Sequence, residues 1–303
     1  MSFSELVGQT FDHLTPLLLD LVDSQYLNVG YWDKNQMSFV QAQQRLVDLF
    51  GRFSKLKKGV EVIDVGFGTG EQDLYFVDHF HCKRILGINP SKFQVEMALK
   101  KIRNKKKYTS VIEFQQGDAI DLADRPTKSC NRILALECDH LFEDKNKFFR
   151  GAYRILRPKG YLCLASAIPN RNNIYNENIV AEIQREISGE SEWKDIDLSK
   201  LQEKMTLTLE KQKNSKNLNI QYNQTLDLLQ KNGFLIEESK DISTQVLGFF
   251  PKIKQRTSLL IKEPFLDHTQ NEILLSLLAS WLILHYTIKN KLVGFFLIRA
   301  KKL

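Results

Sequence analysis

The chain has 303 residues, 43% of them hydrophobic and 26% charged, which is enough apolar content for one large domain with a full core and excludes a disordered or fibrous protein. The formal net charge of +7 gathers in lysine runs, KLKK at 55–58 and KKIRNKKK at 100–107, which read as solvated faces before they read as a surface for an anionic partner. No stretch of 18 apolar residues occurs and the first residues lack a basic-then-apolar leader pattern, so the expectation is a soluble cytoplasmic protein without stable membrane insertion.

Apolar residues Ala42, Leu46, Leu49, Phe50 and Phe53 recur at helical spacing, and the next apolar run, 60–65, is short and β-branched. From there the pattern alternates. Strands are expected at 60–65, 84–88, 111–115, 131–136 and 161–167, with helices at about 70–80, 91–103 and 145–157. Such alternation implies a mostly parallel sheet covered by helices on both faces. A polar stretch then runs from PNRNNIYNEN to about residue 218 and reads as a helical lid insertion. A helix at 219–231 stops at Asn232-Gly233, and strand 234–240, an apolar helix at 273–288 and a last strand at 293–300 close the chain. The helix 273–288 is read as too short to span a membrane and as a face for core packing or a homodimer. The expected organisation is one domain over 1–303: a helical N-terminal cover (1–55), a cofactor core (56–168), the lid (169–218), and C-terminal strands with substrate-side helices (219–303).

Cys82, Cys130, Cys138 and Cys163 form no CxxC pair and the histidines do not cluster with them, so no metal site is expected. The segment VIDVGFGTGE at 62–71 carries more information. Gly66, Gly68 and Gly70 follow a buried strand and precede a helix, where missing side chains let backbone N–H groups approach a ligand closely. Glu71 stands where a nicotinamide fingerprint requires glycine or alanine, and no Lys-Ser or Lys-Thr pair follows as a phosphate loop requires. A tight strand-to-helix turn would also use these glycines.

DVGFGTG resembles the first motif of the class I S-adenosylmethionine-dependent methyltransferases, and three further stretches fall in that family's order: GINPSKFQ (87–94), QGDAIDL (116–122) and LALECDHLFEDKNKFFRGAYRILRPKGYL from strand four onward. The resemblance spans about residues 26–167. It implies a Rossmann-like methyltransferase fold with a seven-stranded, mostly parallel sheet, S-adenosylmethionine as cofactor and S-adenosylhomocysteine as product. NVGYWD (28–33) is similar to the branch of sterol, tocopherol and sugar methyltransferases and the cyclopropane fatty acid synthase relatives, in which an aromatic pair covers the cofactor.

On that resemblance the cofactor-binding residues are Tyr31, Trp32, Asp64, Gly66, Gly68, Gly70, Asn89, Gln94, Asp118, Ala119 and Glu137. Asn89 replaces the acid that usually binds both ribose hydroxyls, with Gln94 as its helper; Asp118 falls to the adenine amino group and Ala119 to the ring. Asp64 organises the glycine loop or meets the cofactor's ammonium. Tyr31 and Trp32 also read as a core contact capping a helix.

Methyl transfer from a sulfonium asks the protein to align the acceptor, exclude water and accept a proton. Glu137-Cys138-Asp139-His140 sits where strand four ends, so His140 is the candidate base, with Asp139 orienting it or binding a polar acceptor; a histidine that only packs the next helix is the competing reading. The acceptor is expected to be a small molecule lying under 168–218 and the helix 245–288. Phe249, Phe250, Trp281 and Tyr286 there are read as core. A hydroxyl acceptor is preferred, with a carbon-methylating or cyclopropane-type lipid enzyme and a cofactor-binding protein without catalysis as alternatives. ECDH stands in place of the Asn/Asp-Pro-Pro-aromatic tetrad of enzymes that methylate a flipped base, so no nucleic-acid partner is expected.

Overall fold

The computed structural model describes residues 2–34, 36–172, 174, 178–187, 196–215, 219–260 and 267–303. Helix α1 (Phe3–Val22) starts at a capping box in which Ser2 and Glu5 satisfy each other's backbone N–H groups. Helix α2 (Phe39–Phe53) begins with the same device, Ser38 and Gln41. The alternating part follows: β1 (Glu61–Val65), α3 (Glu71–Phe80), β2 (Arg84–Asn89), α4 (Lys92–Ile102), the short α5 (Lys106–Thr109), β3 (Ile112–Gln116), β4 (Cys130–Leu136), α6 (Lys145–Ile155) and β5 (Leu156–Pro169). Beyond it lie α7 (Asn178–Ile187), α8 (Leu198–Asn214), α9 (Tyr222–Lys231), β6 (Phe234–Asp241), the one-turn α10 (Ser243–Val246), α11 (Phe249–Leu260), α12 (His268–Lys289) and β7 (Val293–Lys302).

The strands form one seven-stranded sheet in the order β3-β2-β1-β4-β5-β7-β6, with β7 antiparallel to both its neighbours and the other pairs parallel. Strand alternation divides the core in two. Val62, Ile85, Leu134, Leu136, Cys163, Phe295 and Leu297 face one layer, which holds Phe50 and Phe76. Ile63, Val65, Leu86, Ile133, Ala135, Leu162 and Ile298 face the other, with Phe148 and Phe149. Chain order reverses between β1 and β4, and in an open α/β sheet the carboxyl ends of the strands at that point form the ligand crevice.

Two features differ from the sequence reading. Strand β5 starts at Leu156 because that residue pairs with Cys130 before a register shift to the Arg132–Tyr161 pair, so the strand runs into the bulge instead of beginning after it. Helix α12 has 22 residues and is long and apolar enough, by length and composition alone, to cross a membrane, so the short span read from the sequence is corrected. It packs against α7, α8, α11 and β7, and Leu274, Leu278, Ala279 and Ile283 are buried there. Part of the expected lid, 173, 175–177, 188–195 and 216–218, lies outside the described residues.

Candidate active site

A cavity of about 350 Å³ opens over the carboxyl ends of β1, β2 and β4. Its floor is built from the glycine loop. Gly66 has φ +69° and a Cβ there would stand 2.6 Å from Cys138 Cβ, so the position needs both the left-handed backbone and the missing side chain. Gly66 and Gly68 line the cavity; Gly70 instead caps α3 below it, where a Cβ would meet Ala98 and Phe114 at 2.8 Å. Asn89, Gln94, Asp118, Ala119, Glu137 and His140 complete the floor and the near wall.

Asn89 and Gln94 are tied into a hydrogen-bonded chain. The Asn89 amide donates to Gln94 Oε1 at 2.7 Å, its Oδ1 accepts from the Ser91 N–H at 3.0 Å, and the Gln94 amide donates to Thr15 Oγ1 at 2.7 Å. Asp12 Oδ1 accepts from the Ser91 hydroxyl (2.5 Å) and the Phe93 N–H (2.9 Å). Helix α1 is thereby fastened to the N-terminus of α4, and it crosses so closely that a Cβ on Gly8 would lie 2.5 Å from the Pro90 carbonyl oxygen.

Glu137, the first residue after β4, has φ +56°, a conformation that costs a non-glycine residue about 1–2 kcal/mol. Its carboxylate accepts the Val29 N–H at 3.0 and 3.3 Å, closing the N-terminal segment onto the cavity. Burial pushes its pKa up to about 8, against the lowering effect of that one hydrogen bond. His140 lines the cavity next to Leu141 and Phe142, and burial holds its imidazole below the ordinary histidine range, so it is neutral at pH 7 and can accept a proton.

Four of the expected site residues lie outside the cavity lining, besides Gly70. Asp139 is fully buried and ion-paired with the equally buried Lys145 at 2.9 Å; this pairing turns it away from any acceptor and holds its pKa down despite the opposing effect of burial. Asp64 is buried beneath the loop, where it accepts from the Gln72 amide at 2.5 Å and its pKa is raised by burial beside Asp73. Trp32 donates its indole N–H to the Val29 carbonyl and packs edge-on against Phe39, and Tyr31 donates its backbone N–H to the Ala42 carbonyl. Both aromatic residues therefore brace the segment that carries Asn28 and Val29, which do line the cavity.

The far wall was not legible as a site. It consists of Val7, Phe11, Leu14 and Leu18 of α1 with Leu277, Trp281 and Leu284 of α12 and Phe249 of α11. Phe249, buried in the core as expected, and Trp281, packed against it, also line the cavity on the expected acceptor side, whereas Phe250 and Tyr286 lie elsewhere, and no described residue of 168–218 lines it. Gln43 of α2 was also missed. It lines the cavity fully buried, its amide donating to the carbonyls of Tyr26 and Asn28, while its Oε1 has no partner among the described residues. Among those residues, no three His, Cys, Asp or Glu side chains stand close enough to hold a metal ion.

A methyltransferase domain family matches residues 63–164, from β1 through β5. Residues 63–164 are thus matched as a methyltransferase domain, over the stretch in which the sequence resembles the class I S-adenosylmethionine-dependent methyltransferases. The cofactor is S-adenosylmethionine. The cavity suits that molecule: the glycine loop leaves room for close backbone approach, Asp118 and Ala119 border it, and Gln43 Oε1 is a buried acceptor without a donor. The erythromycin 3''-O-methyltransferase of Saccharopolyspora erythraea is 29% identical over 48% of this chain and 47% of its own length. The 27-O-demethylrifamycin SV methyltransferase of Amycolatopsis mediterranei is 31% identical over 52% and 57%. The matches span about half the length of each of these relatives. In fold, the chain is similar to the [4+2]-cyclase SpnF, with a TM-score of 0.73 at 22% identity over 99% of this chain and 96% of that one.

Proposed function

We propose that this protein transfers a methyl group from S-adenosylmethionine to a hydroxyl of a small apolar molecule, with His140 as general base. The observation that carries this reading is one cavity lined both by the glycine loop and by His140, closed on the far side by apolar helices. The two relatives named above are O-methyltransferases or act on a demethylated oxygen by name, which favours oxygen over carbon.

In this reading the backbone of Gly66 and Gly68 would meet the cofactor's amino-acid tail, Gln43 Oε1 its ammonium, Asn89 the ribose, and Asp118 with Ala119 the adenine. When bound, the cofactor supplies an activated methyl group. The apolar wall excludes water and holds the acceptor in line. His140 takes the hydroxyl proton on a ring nitrogen as the oxygen is methylated, which its neutral state at pH 7 permits. Glu137 holds the Val29 segment over the site.

Titration calorimetry with S-adenosylmethionine and S-adenosylhomocysteine tests the first half; absence of binding by either would sink it. His140→Ala should keep cofactor affinity and lower turnover on a hydroxylated acceptor about a hundredfold. Unchanged turnover would return His140 to a packing role. A second reading, a cofactor-holding protein of other chemistry, draws on Asn89, whose amide is committed to Gln94 and Ser91. It predicts binding of both cofactor forms without methyl transfer to any hydroxylated acceptor.

A further inference from the structure

Strands β3, β2, β1, β4 and β5 run parallel, so the turns that feed their first residues gather at the end of the sheet opposite the cavity. Much of the excess positive charge collects there. Lys57 and Lys58 lie in the turn before β1, Lys105 and Lys106 in the connection before β3, Lys128 in the turn before β4, and Lys159 in the bulged start of β5. All are exposed, and among the described residues none has a side-chain ion pair or hydrogen bond. The described carboxylates of this end are already taken: Glu61 pairs with Lys83 and Arg157, Asp78 with Lys107, Glu113 with Arg84, Glu237 with Lys55 and Arg299, and Glu238 with Arg299.

Helix polarity does not account for these lysines. A helix C-terminus favours a cation within its last turn, whereas Lys57, Lys58, Lys128 and Lys159 lie beyond the turns that precede them, and Lys105 and Lys106 open α5. Like charges are crowded here: burial first, and Lys128 nearby, hold the Lys302 ammonium below the ordinary lysine range. With adjacent strands about 4.8 Å apart, the row runs about 20 Å from β3 to β5 in sheet order. Beyond its far end stand Leu235, paired across the sheet with Lys301 and 48% exposed, and Leu303, 71% exposed.

From this row we infer that the strand-start end of the sheet docks the protein on an anionic lipid surface, through lysine ammonium groups with exposed leucine at one margin. A lysine meets a negatively charged leaflet as a point charge and needs no partner of fixed geometry. A nucleic acid fits less well. Of the guanidinium groups here, which are the ones suited to bidentate phosphate recognition, Arg103 is exposed, whereas Arg84, Arg157 and Arg299 are committed to carboxylates and Arg132 to the Ser54 and Lys55 carbonyls. The cavity stays clear of the surface, since it opens at the other end of the strands.

Docking is independent of the methyl-transfer reading, and its test needs neither cofactor nor acceptor. The full chain is sedimented with vesicles of phosphatidylcholine alone and of phosphatidylcholine mixed with phosphatidylserine. It should pellet with the acidic vesicles only, and be released as salt rises from about 0.1 M to about 1 M, where the screening length falls from about 10 Å to about 3 Å. Lys57→Glu with Lys58→Glu, and separately Lys105→Glu with Lys106→Glu, should each weaken vesicle binding at least about tenfold. Lys211→Glu with Lys213→Glu, at exposed positions of α8, makes the same change in net charge elsewhere and should weaken it less than about threefold. Circular dichroism checks the fold of each pair; where glutamate unfolds the chain, glutamine at the same positions should still weaken binding about fivefold. No binding to acidic vesicles, equal binding to neutral ones, or an equal loss in the α8 pair would overturn the proposal. Tighter binding of duplex RNA than of acidic vesicles would overturn the lipid assignment in favour of a nucleic acid.

Discussion

The floor and the far wall of the cavity are made by different means. The floor is backbone and short polar side chains: glycines with positive φ, strand ends held in register by the sheet, and a hydrogen-bonded chain through Asn89, Ser91 and Gln94. The far wall is side chain alone, large apolar groups on helices whose backbones make no special turn. A floor of this kind is specific to one ligand shape and intolerant of substitution. A wall of this kind sets size and polarity and tolerates change that conserves volume.

Gly66→Val attacks the floor where it has least room. Both the left-handed φ and the 2.6 Å approach to Cys138 forbid the side chain, so calorimetry should find S-adenosylhomocysteine binding abolished. Retained affinity would show that the loop is not what holds the cofactor. Lys145→Met tests the support beneath His140. Removing one partner of a buried ion pair should cost about 3–5 kcal/mol in urea unfolding, because the Asp139 carboxylate is left charged and dry. Asp12→Ala lies on the seam between floor and wall; losing its bonds to Ser91 and Phe93 should cost about 1–2 kcal/mol. The same change should weaken binding of a decanol probe while leaving S-adenosylhomocysteine affinity close to the parent value. Equal loss of both would show that α1 belongs to the floor as much as to the wall.

Glu137→Gln should have an effect that depends on pH. The native carboxyl has a folded pKa of about 8, above the ordinary carboxylate value near 4.5. Its contribution is complete below about pH 4.5, falls as the unfolded chain ionises and the fold stays protonated, and levels off above about pH 8. Glutamine can still accept the Val29 N–H but does not titrate. The melting temperature of the variant relative to the parent should therefore rise between pH 5 and 8; a constant difference would place the titration elsewhere.

The same contrast governs what could be read from the sequence. The seven strands were legible because β-branched runs bounded by turn residues have few other uses, and the Rossmann-like fold was implied by the resemblance of the four motifs in their order. Helix α1 was expected only as part of a helical cover over 1–55, without its bounds or its place in the cavity wall. Its stripe of Val7, Phe11, Leu14 and Leu18 is interrupted by polar residues and Pro16, and nothing in an apolar stripe says whether it faces core or cavity. Trp281 and Phe249 pack in the core as read, and that they also border the cavity was hidden for the same reason. Asp139 was misjudged because adjacency to His140 along the chain says nothing about direction; the tight helical turn at Asp139–Leu141 sends the two side chains different ways, one to Lys145 and one to the cavity. Gln43 belongs to no motif and is turned onto the NVGYWD segment by the packing of α2.

Strands β6 and β7 are antiparallel neighbours, an arrangement that a tight hairpin suffices to connect. This chain instead inserts α10, α11 and α12 between Asp241 and Val293. The connection is thus longer than the strand pairing requires, and much of the apolar wall is encoded in one contiguous block. Substituting that block from a relative, together with α1, is the shortest route to a chimera that keeps its methyl donor and changes its clientele.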